Sequence, residues 1–575
     1  MKYKLRGPYK ESLIDTILSN RGIEDVEKFL NPTLEKPLNL LEMTNMKKGI
    51  ELLHNSLNKK IIVLVDSDVD GFTSATLMYK YIKELDDNVD IDYYVHGGKM
   101  HGLTKEFMNF IELKKAELII IPDAGSNDVD EIQALEEKGI NVLILDHHKI
   151  DKKTDYGVII NNQHCDKMNP NFTGVGVAYL FVKAYNEYYN KDIDISKLED
   201  LLLIGSVGDG ANIVEEEVRF FCERARKNIN NNLIKTFYED KNKDLDKIAY
   251  SDLSFGGIIP AINSIIRAGT LEEKKLVFKA LCDINSDYTE VVEKRKLNKT
   301  TRKYEMVPFE LNIYQLAIEA CSKAKARQDK ILKKKTEELL KQYTGDSIGI
   351  FLMEEDEEIK SITGVLANKL ASAIRVPALV MWKNADNFLI GSGRGNIDVI
   401  LDLKKWCLDT ELFELAQGHA NAFGLILDEK NLEKVKEFAK EIEKTEEYCY
   451  EVDLEYNGII KKQHFYIVDS YRELWCNGCE EPLLAVKNLP VKKSDISLRG
   501  SILKIYANNT TFIKYKTTEE EYKKIVANGF FDTLDFTIVG RFSINEYGGN
   551  RYPQVIIEAY DYKIKDNLTI NNFFD

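Results

Sequence analysis

The chain has 575 residues, of which 44% are hydrophobic and 10% aromatic, and its formal net charge is −15. This length and composition predict three or four packed domains and exclude a largely disordered chain. No apolar run approaches the roughly 18 residues that span a membrane, and the N-terminus lacks the apolar core of a secretory signal. The eight scattered cysteines are typical of reduced thiols, so we expect a cytoplasmic protein without a membrane partner.

The acidic average hides one basic segment. Residues 294–341 contain 14 Lys or Arg and 6 Asp or Glu. A basic excess of this kind serves either as a solvated helix face or as a contact for phosphate backbones. The net charge therefore does not decide whether the partner is a nucleic acid.

Short apolar runs alternate with amphipathic stretches from about residue 59 to 215. The candidate strands are 61–65, 89–95, 116–121, 141–145 and 157–160. Strands that alternate with helices predict a parallel, doubly wound α/β domain. Ligands of such sheets bind beyond the carboxyl ends of the strands.

The pattern changes twice further along the chain. Residues 216–343 are predicted to be mostly helical, and a second, smaller α/β pattern begins near Asp346. After Tyr450, strand alternation is interrupted by Asn and Gly turns, which predicts a small antiparallel barrel. In this last region the CxxC of Cys476 and Cys479 is interpreted as a plain turn, with a zinc site as the alternative.

Acids and imidazoles follow four predicted strand ends of the first α/β domain. The stretch "VDSDVDG" brings Asp66, Asp68 and Asp70, which an extended backbone would project to one side, and Gly71 permits a turn into a helix near Thr73. The later strand ends bring the remaining candidates, Asp123, Asp146, His147, His148 and Asp209. Carboxylates with one or two imidazoles and no nearby cysteine favour manganese or magnesium. Two such ions, about 3.5–4 Å apart, would activate a water for attack on phosphorus.

Each of these pieces has a simpler explanation when taken alone. DxDxDG overlaps calcium-loop patterns, adjacent histidines are commonly surface residues, and an Asp after a strand is commonly a helix cap. Their occurrence in order along one α/β pattern favours a common site.

The stretches "DSDVDG", "PDAGS", "DHH" and "GSVGDG" resemble the four motifs of the DHH phosphoesterase superfamily. The resemblance is to the RecJ branch, the single-strand-specific 5′→3′ exonucleases. It begins at "RGIEDVEKFLNP" and continues through "FTGVGVAYLF", "GGIIPAINSIIRAG", "ITGVLANKLASAIRVPALV", "GSGRG" and "QGHANAFG" to "VGRFSINEYGGNRYPQ". It therefore covers nearly the whole chain.

The resemblance implies four domains. A DHH catalytic domain with an N-terminal segment would occupy 1–220, and a helical region with a connecting helix would occupy 221–345. A smaller α/β DHH-associated domain would occupy 346–447, and an antiparallel OB-type β-barrel would occupy 448–575.

The resemblance also implies roles for individual residues. The metal ligands would be Asp68, Asp70, Asp123, His147 and Asp209, holding two Mn²⁺ ions, with Mg²⁺ as the alternative. Asp66 would be an outer carboxylate, Asp146 would orient an imidazole, and His148 and Arg267 would lie near the scissile phosphate. The contacts to other phosphates would come from Lys99, Ser392, Arg394 and His419.

Two departures from the family pattern concern these contacts. Gln417 stands where the family has a glycine before Gly418 and His419. In "HGGKMHGL", Lys99 stands where the family has a phosphate-binding arginine. The point charge of a lysine thus replaces the bidentate fork of an arginine.

We therefore expect an exonuclease that degrades single-stranded DNA from the 5′ end, with a single-strand-binding protein or a helicase as a protein partner. One alternative is a phosphodiesterase of short oligonucleotides or cyclic dinucleotides. An alternative of another class is a catalytically silent scaffold that binds single strands.

Overall fold

The computed structural model describes residues 1–34, 38–165, 167–297, 302–397, 399–440, 442, 448–527 and 532–564. The chain forms two compact units. We call Pro32–Glu443 the large unit, and Met1–Asn31 together with Lys444–Asp575 the small unit.

The strands within the described residues are, in chain order, β1 (Lys2–Leu5), β2 (Ile61–Val65), β3 (Ile91–Val95), β4 (Leu118–Pro122), β5 (Asn141–Asp146), β6 (Val158–Asn161), β7 (Thr289–Leu297), β8 (Tyr304–Asn312), β9 (Gly349–Met353), β10 (Ala378–Lys383), β11 (Phe388–Arg394), β12 (Phe413–His419), β13 (Ala422–Asp428), β14 (Cys449–Val452), β15 (Leu454–Asn457), β16 (Leu483–Lys492), β17 (Ile496–Arg499), β18 (Ile502–Ala507), β19 (Thr510–Lys514), β20 (Thr533–Tyr547) and β21 (Asn550–Ile564).

The α-helices of the same residues are α1 (Leu13–Asn20), α2 (Val26–Leu30), α3 (Met46–His54), α4 (Val69–Leu85), α5 (Lys105–Lys114), α6 (Val129–Glu136), α7 (Gly174–Tyr189), α8 (Glu199–Asp209), α9 (Glu216–Arg226), α10 (Asn232–Glu239), α11 (Tyr250–Ser254), α12 (Ile258–Ala268), α13 (Leu271–Leu281), α14 (Ile313–Leu339), α15 (Glu357–Lys360), α16 (Thr363–Ile374), α17 (Leu403–Asp409), α18 (Leu432–Lys440), α19 (Lys462–Ser470) and α20 (Glu519–Ala527). In the part of the chain that the structure describes, none of these helices combines the length and apolarity needed to cross a bilayer.

A five-stranded parallel sheet organises the first part of the large unit. Its strand order is β3-β2-β4-β5-β6, and every neighbouring pair runs parallel. Ile62 and Leu64 of β2 pack with α5 and α6 on one face, whereas α4 and α7 contact β2 and β5. The central strands β2 and β4 are apolar and fully buried because both faces of the sheet are covered by helices, whereas the edge strand β3 is mostly half-buried. The predicted parallel α/β arrangement is confirmed.

The second part of the large unit contains a mixed sheet of order β12-β13-β11-β10-β9. β9 and β10 run parallel, and the other pairs are antiparallel. Helix α14, about 40 Å long at 1.5 Å per residue, contacts α12 and α13 and packs Leu332 and Leu339 against the core of α16 and the mixed sheet. This helix therefore joins the two α/β parts of the large unit.

The predicted mostly helical stretch over 216–343 is confirmed by helices α9 to α14, but the prediction missed two strands within it. β7 and β8 pair in an antiparallel ribbon along nine residues each, before α14 begins. The β-branched pair Val291 and Val292 in "TEVVEKRKL" is a weak strand signal, which the five charged residues of the stretch outweighed.

The small unit combines the first 31 residues with the segment that starts at Lys444. β1 pairs in parallel with β14, and a seven-stranded sheet has the order β15-β16-β20-β21-β19-β18-β17. Most pairs are antiparallel, but β15 with β16 and β19 with β21 run parallel. Among the described residues, no pairing joins the two edge strands β15 and β17. The sheet is thus mixed, and closure into the predicted antiparallel barrel is not observed.

The predicted CxxC lies in a turn of the small unit. The backbone N–H groups of Cys476 and Cys479 donate to each other's carbonyls at 2.9 and 3.0 Å. Nη1 of Arg21 lies 3.6 Å from Sγ of Cys479. These two backbone hydrogen bonds close a turn between Cys476 and Cys479, as the interpretation of the CxxC as a turn predicted.

Candidate active site

The carboxyl ends of the parallel sheet bring several acids to one edge. Asp66 follows β2, Asp123 follows β4, and Asp146 is the last residue of β5. All three are 1% exposed. Because β2, β4 and β5 are parallel neighbours, their ends meet at this edge, as the sequence predicted.

Two details of that prediction are wrong. Asp209 ends helix α8 and does not follow a strand; α8 packs against α4 and so brings Asp209 to the same place. Helix α4 begins at Val69 instead of near Thr73, because Asp68 is its N-cap and accepts from the N–H of Gly71 at 2.8 Å. Asp66, Asp68 and Asp70 therefore do not lie along one face of an extended segment.

Asp70 is held by the first turn of helix α7. Its carboxylate accepts from the backbone N–H groups of Gly174 and Val175 at 2.7 and 3.1 Å, and from the hydroxyl of Thr173 at 3.2 Å. The free N–H groups and the positive end of the helix dipole favour a carboxylate at this position. The "FTGVGVAYLF" stretch thus fixes the orientation of Asp70.

Asp123 is the buried acid with the fewest partners. Among the described residues, neither of its carboxylate oxygens has a hydrogen-bond partner. A Cβ on Gly174 would lie 2.3 Å from Oδ1 of Asp123, so only glycine permits this approach. A buried carboxylate without donors is costly unless a cation binds it.

His147 lies among the candidate ligands. Its Nε2 is 3.2 Å from Asp123 Oδ1, 3.8 Å from Asp209 Oδ2 and 3.9 Å from Asp70 Oδ2. Potential ligand atoms of Asp70, His147 and Asp209 all lie within 4.8 Å of one another, as do those of Asp123, His147 and His148. These distances and the unpartnered Asp123 oxygens fit a divalent metal bound by oxygen and imidazole.

The shifted pKa values of the cluster also favour a bound cation. Burial, together with Asp209 and Asp68, raises the pKa of Asp70 to about 8. Burial and the charge of Asp68 raise the pKa of Asp209 to about 6, and burial lowers the pKa of His147 to about 4. Clustered carboxylates thus bind protons where no cation neutralises them.

Asp66 and Asp68 form a third group with His101, a residue that the sequence analysis did not select. Nδ1 of His101 donates to Asp66 Oδ2 at 2.5 Å, and the N–H of Gly102 donates to Oδ1 at 3.0 Å. Ligand atoms of Asp66, Asp68 and His101 lie within 4.8 Å of one another. The available signal was that His101 follows β3, another strand ending at the same edge.

Asp146 orients His148. Its Oδ1 accepts from His148 Nδ1 at 2.8 Å and from the backbone N–H of His147 at 2.7 Å. The hydrogen bond to Asp146 raises the pKa of His148 to about 9. His148 is therefore a half-exposed cation beside the cluster.

Three further cations lie within electrostatic range of one another. Desolvation by surrounding protein atoms lowers the pKa of Lys99, although the residue is exposed at the surface. Repulsion from Arg267 and Arg394 lowers this pKa further, whereas Asp68 opposes the shift. Burial and the charge of Arg267 likewise lower the pKa of Arg394. The positive groups predicted from separate sequence regions thus lie near one another, and Lys99 and Arg267 also interact with Asp68.

Ser392 and Arg394 lie on β11, facing the N-terminal end of helix α16. A Cβ on Gly364 would lie 2.6 Å from Arg394 Nη2 and 3.7 Å from Ser392 Oγ, so this glycine allows the helix to approach both. Arg394 and His419 are both register partners of Ala422, one on either side of β13. The structure therefore places Arg394 and His419 at the same end of the mixed sheet.

A family model described as "DHH family, N-terminal domain" matches residues 60–206. A putative SPbeta prophage-derived single-strand DNA-specific exonuclease, YorK of Bacillus subtilis (strain 168), is 31% identical over 594 aligned positions, which cover 98% of each chain. The single-stranded-DNA-specific exonuclease RecJ of Escherichia coli (strain K12) is 25% identical over 442 positions, which cover 72% of each chain.

Among solved structures, RecJ from Thermus thermophilus in complex with Mn²⁺ has a similar fold. The TM-score is 0.70 at 17% identity, covering 96% of this chain and 76% of that one. The Mg²⁺ complex of RecJ from the same organism gives a TM-score of 0.64 at 16% identity, covering 95% and 74% of the two chains.

Proposed function

Because the chain belongs to the RecJ-like single-strand-specific exonucleases of the DHH family, we propose that it is a metal-dependent phosphodiesterase that degrades single-stranded DNA. In this proposal it works from the 5′ end and releases 5′-mononucleotides. The observation that carries it is the buried Asp123 carboxylate, which has no donor among the described residues and lies 3.2 Å from His147.

We propose that two divalent cations, Mn²⁺ or Mg²⁺, bind here. The ligands in this proposal are Asp68, Asp70, Asp123, His147 and Asp209. The similar Thermus thermophilus RecJ has been solved with each of these ions. When bound, such ions supply a nucleophile from water at neutral pH and neutralise phosphate charge.

The remaining polar groups bind and orient the substrate phosphate. His148, held by Asp146, and the guanidinium of Arg267 donate hydrogen bonds to non-bridging oxygens and favour the charge that develops on them. Lys99 attracts the same phosphate or its neighbour. Asp66 acts indirectly, because its carboxylate is occupied by His101 and Gly102.

The second α/β part receives the 5′ end. Ser392, Arg394 and the N–H groups at the start of α16 offer donors to a terminal phosphate. His419 contributes from the same end of the mixed sheet. A terminal phosphate bound at a fixed distance from the metal cluster would make each cleavage release one nucleotide.

The domain bounds given above, at 220, 345 and 447, are part of this proposal, as is an OB-type barrel for the last segment. β16 and β18 lie near each other although three strands separate them in the seven-stranded sheet, which supports a strongly curled sheet. Its aromatic side chains divide: Tyr506, Tyr515 and Tyr547 are exposed and available to stack on bases, whereas Phe512 and Phe542 are buried.

The proposed substrate suggests where the protein works and with what. We place it in the cytoplasm, with a single-strand-binding protein or a helicase as partner, because such proteins accompany exposed single strands. The chemistry proposed for the site does not depend on this location or on this partner.

The function is tested with purified protein, Mn²⁺ and end-labelled oligonucleotides. We expect 5′-mononucleotides from single-stranded DNA, little product from blunt duplex, and no product from Asp68→Ala, whereas Asp130→Ala on the exposed face of α6 retains activity. Hydrolysis of dinucleotides but not of longer strands would favour the short-oligonucleotide phosphodiesterase. Single-strand binding without hydrolysis of any substrate would favour the scaffold.

A further inference from the structure

Lys274 of helix α13 is a buried lysine that has no carboxylate partner in the described part of the chain. Its residue exposure is 2%. Among the described residues it forms no ion pair, and its ammonium donates to three consecutive backbone carbonyls. The acceptors are His96 at 3.3 Å, Gly97 at 2.9 Å and Gly98 at 3.0 Å.

An ammonium group without a carboxylate is expensive to bury. The three carbonyls match its three donors, which makes the arrangement tolerable but does not explain why an apolar residue is not used. Burial lowers the pKa of Lys274 to about 8, which agrees with a charge held away from water. We therefore relate the function of this lysine to the backbone segment that its ammonium group binds.

The three carbonyls belong to the loop that follows β3, which we call the β3 loop (residues 96–102). Gly97, Gly98, Lys99, Met100 and His101 in it are all exposed. The loop carries Lys99, beside Arg267 and Asp68, and His101, which donates to Asp66. Residues 97–101 have few other contacts among the described residues: Ser67 Oγ reaches Gly98 O at 3.4 Å, and His101 donates to Asp66. The C-terminal end of the loop is held at Gly102, whose N–H donates to Asp66 and whose carbonyl accepts from Thr104 at 3.2 Å.

Opposing charges act on this loop. Lys99 is repelled by Arg267 and Arg394 and attracted by Asp68 and Asp66, so its position depends on how the loop is held. Arg267 lies on α12, and Lys274 lies one turn inside the next helix. A bond from α13 to the loop therefore fixes the spacing between the cations Lys99 and Arg267.

We propose that Lys274 is a positioning residue that clamps the β3 loop, so that Lys99 and His101 face the metal-ligand cluster before substrate binds. The role assigned to Lys99 as a phosphate contact rests on the proposed function; the clamping of the loop does not. Lys274 itself touches neither substrate nor metal.

The test compares Lys274→Met, which keeps the length and the apolar stem, with Lys275→Met on the same helix, whose ammonium pairs with Glu272. We expect hydrogen exchange of the amide of Gly102, which donates to Asp66, to accelerate at least tenfold in Lys274→Met and to stay unchanged in Lys275→Met. Unchanged exchange in a folded Lys274→Met protein would overturn the proposal.

A second readout follows Lys99. Single-stranded DNA binding in EDTA should weaken about tenfold in Lys274→Met, and the slope of log affinity against log salt should fall by about 0.7, the loss of one phosphate contact. Lys99→Met should weaken binding in the wild-type background but add little in the Lys274→Met background. Full additivity of the two effects would show that Lys274 does not act through Lys99.

Failure of the variant to fold and failure of the proposed function lead to different results. If Lys274→Met does not fold, the same measurements are made on Lys274→Arg, whose planar fork keeps the charge but does not bond three converging carbonyls; faster loop exchange supports the clamp and unchanged exchange overturns it. If the wild-type protein hydrolyses no DNA, the proposed function fails, and the exchange measurement still decides the clamp.

Discussion

Two glycines in the first turn of α7 perform different tasks. A Cβ on Gly174 would lie 2.3 Å from Asp123 Oδ1, whereas a Cβ on Gly176 would lie 2.7 Å from Cδ1 of Phe172. The first clash displaces a proposed metal ligand, and the second displaces only core packing. Substitutions at these two glycines therefore test metal binding and folding stability separately.

We expect Gly174→Ala to weaken Mn²⁺ binding at least tenfold, because Asp123 must move away from His147. Gly176→Ala should cost about 1–3 kcal/mol of unfolding free energy through overpacking but leave Mn²⁺ affinity close to that of the wild type. Isothermal titration calorimetry and denaturant unfolding measure the two quantities. Equal metal affinity in both variants would contradict the assignment of Asp123.

The metal-free protein should lose stability between pH 6.5 and 8. A carboxyl with a raised pKa holds its proton longer in the folded state, so stability falls as the pH rises toward that pKa. Asp70, with a pKa of about 8, acts this way across the window. His148, whose pKa is raised to about 9, loses its contribution above its ordinary value of 6.5. The opposing change at His147, whose pKa is lowered to about 4, ends within about one pH unit above 6.5 and is smaller than the two losses.

Thermal unfolding in EDTA should therefore give a Tm lower by a few degrees at pH 8 than at pH 6.5. Added Mn²⁺ should raise the Tm more at pH 8, because protons no longer compete for the carboxylates. Asp70→Asn is the control, and its Tm should depend less on both pH and Mn²⁺. A larger Mn²⁺ effect at pH 6.5 would count against this account.

The sequence predicted which acids meet, but not how each is held. Asp66, Asp123 and Asp146 follow from strand ends, because parallel strands share an edge. Asp209 reaches the site from α8, and His101 donates to Asp66 from the β3 loop. Both depend on packing between elements, which hydrophobic periodicity in a single segment does not record.

Element boundaries show the same limit. Asp68 is a helix cap as well as a candidate ligand, so α4 starts earlier than the glycine suggested. The ribbon of β7 and β8 was missed because its strands are charged and mostly exposed, unlike the apolar strands of the core. Apolar strands between helices were the elements that the sequence placed most closely.

One tie between elements of the small unit is open to a direct test. Arg21, the C-cap of α1, binds Asp453 through Nε and Nη2, both at 2.7 Å, and Asp453 is 1% exposed. Removal of Arg21 leaves the buried Asp453 carboxylate with the longer contact to Arg6 at 3.6 Å and the N–H of Leu483 at 2.9 Å.

We expect Arg21→Met to destabilise the small unit by about 3–5 kcal/mol. The control is Arg541→Met, which breaks the more exposed pair with Glu558 and should cost about 1 kcal/mol or less. Differential scanning calorimetry with each variant measures the change. Equal small losses in both would mean that the Arg21–Asp453 pair is not desolvated in solution.

The division of the whole chain into two units makes a further prediction. Every candidate metal ligand lies in the large unit, whereas β1 and α1 belong to the small unit. Deleting residues 1–31 should therefore lower the Tm of the small unit by removing the partner strand of β14, with Mn²⁺ affinity unchanged within about twofold. Calorimetry and Mn²⁺ titration of the deletion protein check both parts, and loss of Mn²⁺ binding would contradict the division.

The pairing of β1 with β14 also has a consequence in time. Lys2 is the register partner of Cys449, so about 450 codons separate the translation of the two strands. At about 5–20 residues per second, the ribosome finishes the second strand roughly 20–90 s after the first. The five-stranded parallel sheet, whose last strand ends at Asn161, is complete early in this interval, so we expect it to fold before β1 meets its partner strand.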